Sequence, residues 1–302
     1  MFASTRLQSA LVALLITPVA LLAFSAPVPV RQASAATATD CSPAALYPAR
    51  FPAQPNVNNR FLPYVPGMQF VLSGTVIEDD GTAHPHQVVT TVTDLTKVMA
   101  GVRTIVVYDV DVQDGAVQES ELFFVAQRSD GSVWTLGEYP EEWDGGKLAG
   151  APSTWIAGTA KARAGKAMLA QPKVGTPTYL QGFSPDIQFK DCATVVKTNQ
   201  HACVATGCYS QVVVVDEFAP FDPEGGHQLK YHALGVGVIK VAAAGGVDPE
   251  ALQLTKAAKL CSAEFNRVRK QVIEQDKRGY HVARTIYSAS THAEQTLSAR
   301  TC

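Results

Sequence analysis

Short alternating strands joined by Asp-Gly turns run from Gln87 to Trp134, and they constrain the fold more than any other feature of the sequence. The turns are Asp114-Gly115 and Asp130-Gly131. An Asp-Gly pair between alternating segments favours a tight β-hairpin, because both residues tolerate positive φ. Hairpins join neighbouring strands in antiparallel order. The sequence therefore predicts an antiparallel β protein.

The two strands around Asp114-Gly115 share a face that changes from apolar to acidic towards the turn. The apolar members are Ile105 and Val107 on the first strand and Phe123 and Val125 on the second. The acidic members are Asp109 and Asp111 on the first strand and Glu119 and Glu121 on the second. Because the apolar and acidic halves of the two strands match, we expect these strands to pair, with the acidic end of the shared face in water. The four acidic residues are the candidate catalytic residues.

The fold class predicted from these patterns is mainly β: a curved antiparallel sheet, arranged as a half-barrel or a sandwich of hairpins. Residues 67–247 form the predicted β domain, with later strands at 211–218, 227–233 and 237–242. Residues 153–175 lack a clear period and are interpreted as a loop. The C-terminal segment, 248–302, contains a predicted surface helix over about 262–278, which begins at the cap Ser262 and ends at Gly279.

The N-terminal segment reads as an export signal. Arg6 is followed by the apolar run Leu11 to Phe24 and by the small residues Ala33-Ser34-Ala35. This order is typical of a secretory signal peptide, predicted over residues 1–36, which places the protein outside the cytoplasm. A membrane anchor is the alternative, but Pro18 interrupts a short apolar run. No lipid-attachment box precedes Cys41. Prolines then punctuate residues 37–66, which predicts an extended arm on the domain surface.

All of the cysteines lie beyond the predicted cleavage point, and their number is even, which favours disulfides in an exported protein. They are Cys41, Cys192, Cys203, Cys208, Cys261 and Cys302. A local bridge among Cys192, Cys203 and Cys208 and a bridge between Cys261 and Cys302 are both open, so the pairing is undetermined. The spacing of Cys203 and Cys208 is wider than a zinc knuckle usually uses, and no second close pair accompanies it.

Charge and composition exclude some partner classes. The net charge is -2, so no basic surface for nucleic acid is expected. Hydrophobic residues make up 46% of the chain, which is sufficient for a full core. After cleavage of the signal no stable membrane span is expected.

Several clusters suggest metal or sugar chemistry, and each has a simpler interpretation. His84 and His86 lie at strand spacing and are candidate metal ligands, but they need a third ligand from elsewhere. Asp109, Asp111 and Asp114 resemble a calcium loop, but the glycine comes one residue late. Glu138, Glu141 and Glu142 are candidates for a glycosidase site, although adjacent acids in a loop are usually in solvent.

Sequence motifs for hydrolysis or cofactor binding are missing. The chain has no Gly-x-Ser-x-Gly elbow, no His-Glu-x-x-His and no glycine-rich phosphate loop with a lysine. No cofactor is therefore expected.

Ordered motifs from Leu62 to Val241 resemble a family of secreted bacterial proteins of unassigned function. They are Leu62-Pro63-Tyr64-Val65-Pro66-Gly67, Asp130-Gly131-Ser132-Val133-Trp134 and Tyr231-His232-Ala233-Leu234-Gly235-Val236-Gly237. The sequence departs from the family pattern where Phe70 replaces tryptophan, where Leu234 replaces proline, and in the cysteine-bearing insert. The resemblance implies export and transfers no site.

These observations lead to two main functional hypotheses. The first is a secreted, non-enzymatic β protein that binds an extracellular ligand, either apolar or from the cell envelope. The second is a secreted hydrolase that uses Asp109, Asp111, Glu119 or Glu121. Metal capture by His84 and His86 is a third.

Overall fold

The chain folds into a closed antiparallel β-barrel with a helix packed on its outer surface. The structure is a computed structural model that describes residues 41–78, 80–299 and 301–302. The predicted signal peptide lies outside the described residues. The strands in chain order are β1 (Met68–Ile77), β2 (Ala83–Met99), β3 (Val102–Gln113), β4 (Ala116–Gln127), β5 (Val133–Asp144), β6 (Lys147–Gly150), β7 (Trp155–Ile156), β8 (Arg163–Met168), β9 (Tyr179–Ser184), β10 (Phe189–Val204), β11 (Gly207–Phe218), β12 (His227–Ala233), β13 (Gly237–Ala244), β14 (Glu250–Lys259) and β15 (Glu294–Gln295). The helices are α1 (Ser262–Val282) and α2 (Arg284–Tyr287).

Closure of the barrel depends on β1, which pairs with β2 on one side and with β14 on the other. Phe70 lies opposite Thr90 of β2 and opposite Ala257 of β14. The wall has 12 strands in the order β1, β14, β13, β12, β11, β10, β9, β8, β5, β4, β3, β2, and then β1 again. The predicted antiparallel fold with a C-terminal helix is confirmed. The predicted curvature continues to full closure, beyond a half-barrel or a sandwich, and removes the exposed sheet edges.

Two of the structural elements differ in extent from the sequence predictions. Residues 153–175 contain the short strands β7 and β8, where a loop was predicted. A Cβ on Gly165 would lie 2.3 Å from the carbonyl carbon of Gln181, so glycine permits the close approach of β8 to β9. Helix α1 begins at Ser262 and continues to Val282, past the predicted stop at Gly279. The predicted cap is wrong, because Cys261 occupies the N-cap position and no side chain caps the helix. The predicted domain boundary at residue 247 falls between β13 and β14, both of which belong to the barrel.

Strands β2, β3, β4 and β5 are neighbours and form one part of the barrel wall, the β2–β5 wall. Apolar side chains pack on both of its sides. The outer layer lies beneath the helices and includes Leu95, Phe124, Leu136, Tyr139, Val272 and Tyr287. The inner layer includes Val92, Ile105, Val107, Val125, Val195 and Val215. The register is irregular between Val92 and Thr96 on β2 and between Phe124 and Val125 against β5. The second irregularity adds one residue to β5 and so changes which of its side chains face each layer.

The segment 41–66 lies against the barrel. Val57 is buried among the inner apolar side chains, and Phe51 packs edge-on against Trp134 with ring centroids 6.0 Å apart. The Asn59 side chain donates to the carbonyl oxygens of Gly131 and Leu169 at 2.9 and 3.1 Å. These contacts hold the arm against the barrel.

The predicted disulfides are confirmed, and their pairing is now defined. The pairs are Cys41–Cys192, Cys203–Cys208 and Cys261–Cys302. The first ties the arm to β10, and the last ties the chain end to the start of α1. Three disulfides mark a protein of an oxidising compartment, so the protein is extracytoplasmic.

Candidate functional site

The inner face of the barrel has an apolar half and an acidic half. On β3, Ile105 and Val107 belong to the inner apolar layer, and the strand alternation carries Asp109 and Asp111 onto the same face. In the register of β3 and β4, Asp109 lies opposite Glu121 and Asp111 lies opposite Glu119. The predicted pairing of the two strands is therefore correct. The four carboxylates proposed from the sequence lie together on one inner surface.

Burial of this surface corrects one expectation. The sequence predicted that the acidic end faces water, yet Asp109 is 6% exposed and Glu121 is 3% exposed. The reason is barrel closure, which turns this face inwards and places other strands opposite it. Carboxyl groups on other strands of the barrel extend the cluster. They are Glu138 on β5, Asp191 on β10, Glu217 on β11 and Glu250 on β14.

Two basic side chains neutralise part of this acidic surface. Lys230 on β12 lies 2.6 Å from Glu217, and Gln181 donates to the other Glu217 oxygen at 2.8 Å. Burial raises the pKa of Glu217, but the opposing contributions, led by the charge of Lys230 and including hydrogen bonds from Lys230 and Gln181, together outweigh burial, so the net pKa is lowered. The same pair keeps the pKa of Lys230 raised despite its burial. This part of the cluster is ionised at neutral pH.

His86 forms the second basic contact, at the end of the acidic half. Its Nε2 lies 2.7 Å from Asp111, and its Nδ1 lies 2.8 Å from Glu250, although the second contact lacks hydrogen-bond geometry. Burial lowers the pKa of His86, but the contacts with Asp111 and Glu250 outweigh burial and raise the pKa to about 10. The imidazolium therefore bridges β3 and β14.

The remaining carboxyl groups are held towards their protonated form. Burial, with the charges of Asp111 and Glu138, raises the pKa of Glu119 to about 8. Burial also raises the pKa of Asp109 to about 6 and that of Glu121 well above its ordinary range. These directions follow from the excess of carboxylates over cations inside the barrel, since like charges in a poorly solvated space disfavour ionisation.

Several buried polar atoms on this surface lack a hydrogen-bond partner among the described residues. They include Asp109 Oδ1, Glu138 Oε1 and Gln181 Oε1. The other Glu138 oxygen accepts a hydrogen bond from Trp155 Nε1 at 2.8 Å. Buried polar groups in folded proteins are normally satisfied, so open acceptors that share one interior surface indicate a place for a donor-bearing ligand.

An aromatic residue of the arm lies where the apolar and acidic halves meet. The Tyr64 ring packs edge-on against Phe123, with centroids 5.8 Å apart. Burial, followed by the charge of Asp109, raises the pKa of Tyr64. Its hydroxyl therefore stays protonated and is a hydrogen-bond donor beside the carboxyl groups. Tyr64 was not among the predicted site residues, because its position in the proline-rich arm gives no local indication that its side chain reaches the barrel interior.

The other candidates from the sequence analysis are separated by the fold. His84 contacts Asp114 at 2.6 Å near the exposed turn, whereas His86 points to Asp111 and Glu250, so the two histidines do not share a site. Glu138 is inside the barrel, whereas Glu141 binds Arg278 of α1 on the outside. The predicted glycosidase cluster is thus divided by the barrel wall.

Metal-type ligands come together elsewhere. Across the part of the chain that the structure describes, the one group of three such residues whose ligand atoms all lie within 4.8 Å of one another is His201, Cys203 and Cys208, at the exposed end of the β10–β11 hairpin. The inner carboxyl groups do not form such a group.

Comparisons with known proteins give limited information. No family model matches the chain, and no curated protein matches it, so the family resemblance carried by the motifs stays a prediction. A candidate exported protein with a YmcC-like fold from Bacteroides fragilis NCTC 9343 is similar with a TM-score of 0.40 at 12% identity, covering 67% of this chain and 100% of that chain. A candidate lipoprotein from Parabacteroides distasonis ATCC 8503 gives a TM-score of 0.35 at 9% identity, covering 66% and 99%.

Within residues 41–78, 80–299 and 301–302, no helix has the length and apolar character needed to span a bilayer.

Proposed function

We propose that this extracytoplasmic protein binds a ligand inside its barrel, and that the ligand carries a cationic group together with an apolar part. The observation that supports the proposal most directly is the set of buried acceptors that have no donor among the described residues, Asp109 Oδ1, Glu138 Oε1 and Gln181 Oε1. An ammonium or guanidinium group supplies several donors and no acceptor, which complements such a surface.

The charge distribution favours a cation over a neutral donor. Lys230 is engaged by Glu217, and His86 is engaged by Asp111 and Glu250, so the positive charge of these two residues is already paired with other carboxyl groups. A cationic ligand would lower the pKa of the protonated carboxyl groups, and the released protons would make binding stronger at higher pH.

The apolar half gives the second requirement on the ligand. Ile105, Val107 and Val125 continue the same inner surface beyond the carboxyl groups, and Tyr64 marks the boundary. A molecule with an alkyl or aromatic portion would contact both halves. An organic cation also fits better than a bare metal ion, since the described inner carboxyl groups do not converge on a common point.

Isothermal titration of the mature chain with octylamine and octanoate tests the proposal. These probes share an alkyl chain and differ in charge. We expect octylamine to bind measurably, and octanoate to bind at least about tenfold more weakly. Octylamine should also bind more tightly at pH 8 than at pH 5, with proton release on binding. Equal affinity for the two probes would refute the proposal.

Matched variants locate the effect. Glu138→Gln should weaken octylamine binding by about tenfold, because it removes a charge-assisted hydrogen bond at nearly constant volume. Asp144→Asn, at an exposed position of β5, changes charge equally and should leave binding unchanged. A similar loss in both variants would show that net charge acts at a distance and that the interior site is not involved.

A hydrolase remains the second candidate, supported by one observation. Burial, then the charges of Glu138 and Glu217, raises the pKa of Asp191 to about 7, while that of Glu217 is lowered. Two nearby carboxyl groups in opposite protonation states are typical of an acid and a base or nucleophile. Turnover of an esterase, glycosidase or peptidase substrate that Asp191→Asn or Asp109→Asn abolishes would favour this candidate.

A further inference from the structure

The end of the β10–β11 hairpin has both of its cysteines in solvent. Val204 pairs with Gly207, so Ala205-Thr206 forms a two-residue turn, and Cys203 lies directly opposite Cys208. The two Cα atoms are 4.0 Å apart, and both residues are exposed. Exposed disulfides are the more readily reduced ones, because a thiolate can reach them.

A histidine completes a group of metal ligands at this position. His201 lies two residues before Cys203 on β10, and alternation places both side chains on the same face of the strand. The imidazole and the two sulfur atoms offer ligand atoms that all lie within 4.8 Å of one another. All three residues are exposed, so a metal ion can reach them from solvent.

We propose that the hairpin end is a thiol-gated metal site, in which reduction of the Cys203–Cys208 disulfide creates a site for a thiophilic cation, Zn²⁺ or Cu⁺. A dithiol donates two electrons and two protons, the S–S bond breaks, and the dithiol becomes a disulfide. Metal binding then displaces the two thiol protons, so the ion is held by two thiolates and the His201 imidazole.

Strand pairing makes the site suitable for these ions. The backbone hydrogen bonds of the hairpin keep Cys203 opposite Cys208 after the disulfide opens, so the thiolates need little rearrangement to share an ion with bonds of about 2.3 Å. Two thiolates and an imidazole select Zn²⁺ or Cu⁺ over Mg²⁺ or Ca²⁺, which prefer oxygen. Three protein ligands also leave a coordination position for water or an external ligand on Zn²⁺.

The other disulfides provide internal references. Cys41 is 3% exposed and Cys192 is fully buried, so a mild reductant has little access to that bond. Cys261 and Cys302 are exposed, but they are not part of a group of three metal-type ligands among the described residues. Reduction at Cys261–Cys302 should therefore create no comparable site.

The test is Zn²⁺ binding by the mature chain, measured by native mass spectrometry and chelator competition, before and after mild phosphine reduction. We expect one Zn²⁺ per reduced chain and none per oxidised chain. Peptide mapping should show Cys203 and Cys208 as thiols while Cys41–Cys192 stays intact. His201→Ala should weaken binding by at least about tenfold, since loss of even an outer partner of a metal ligand has an effect of that order.

Cysteine variants separate this site from the rest of the chain. The double variant Cys203→Ser, Cys208→Ser should bind no Zn²⁺ after reduction, whereas Cys261→Ser, Cys302→Ser should still bind one. Circular dichroism checks that each variant keeps the barrel. Failure of the reduced wild-type chain to bind Zn²⁺, or one Zn²⁺ retained by the Cys203→Ser, Cys208→Ser variant, would overturn the proposal.

Discussion

The two sides of the β2–β5 wall differ in how their buried charged groups are paired. On the outer side, beneath α1, the buried charged groups have partners of opposite sign: Lys97 contacts Asp276 at 2.6 Å, Arg269 contacts Asp94 at 2.6 Å, and Arg278 contacts Glu141 at 2.6 Å. On the inner side carboxyl groups outnumber the basic residues, and one oxygen each of Asp109 and Glu138 has no hydrogen-bond donor among the described residues.

The difference distinguishes a structural contact from a candidate site. Lys97 is fully buried, lies over the Tyr287 ring at 4.1 Å, and donates to Tyr280 at 2.8 Å, so each of its interactions also holds the helix on the barrel. On the inner side Glu217, Asp111 and Glu250 also join strands, but Asp109 Oδ1 and Glu138 Oε1 have no hydrogen-bond donor among the described residues. Natural folds keep unsatisfied buried groups mainly where they serve function.

Breaking the outer ion pair between Lys97 and Asp276 should have the largest effect on stability. Lys97→Ala should destabilise the protein by about 3–5 kcal/mol, because it leaves Asp276 buried without its cation. Urea denaturation measures the change. Lys147→Ala, at an exposed position of β6, is the control and should change stability by no more than about 0.5 kcal/mol. A loss below about 1 kcal/mol for Lys97→Ala would show that the outer pair is not structural.

Sequence patterns predicted which side chains share a face, but not which face is enclosed. Alternation along β3 and β4 placed Asp109 with Glu121 and Asp111 with Glu119, and the register confirms both pairs. The enclosure depends on β1 meeting β14, about 180 residues later along the chain. No local pattern reports that contact, so the carboxyl groups were predicted to face water.

The ion pairs between the outer side of the wall and α1 also could not be predicted from the pattern of a single strand. The register of β2 against β3 shifts by two residues between Val92 and Thr96, which keeps the alternation, so Lys97 lies on the face opposite Val92 and contacts α1. Its partner Asp276 lies on α1, which was predicted only as a surface helix. The approximate position of that helix was predictable from local sequence signals, although its cap was not. The partner of a buried charge is a long-range property.

The pH dependence of stability should differ between the two sides of the wall. The pKa of Glu119 is raised to about 8, so the folded state holds a proton that the unfolded state releases near its ordinary pKa. This contribution to stability is complete below the unfolded pKa and is lost as the pH rises through about 8. His86, with its pKa raised to about 10, acts in the same direction.

We therefore expect the wild-type protein to be less stable at pH 8 than at pH 5, and Glu119→Gln to flatten the decline. The size of the decline for the whole cluster is on the order of 1–2 kcal/mol, about the free energy of one pKa unit. Urea titrations at the two pH values measure it. A decline of the same size in Glu119→Gln would show that the inner carboxyl groups are not its source.

The smallest expected effect is also the sharpest contrast with Lys97→Ala. Burial, followed by the charges of Glu138 and Glu119, raises the pKa of Glu121, so at pH 5 its side chain is a neutral acid that glutamine closely imitates. Glu121→Gln should therefore change stability by less than about 1 kcal/mol at pH 5 and should increase it at pH 8, where the inner cluster loses protons. Thermal unfolding at both pH values shows whether Glu121→Gln stabilises or destabilises the protein. Destabilisation at both pH values would mean that Glu121 is an ionised structural partner, and the inner surface would then resemble the outer one.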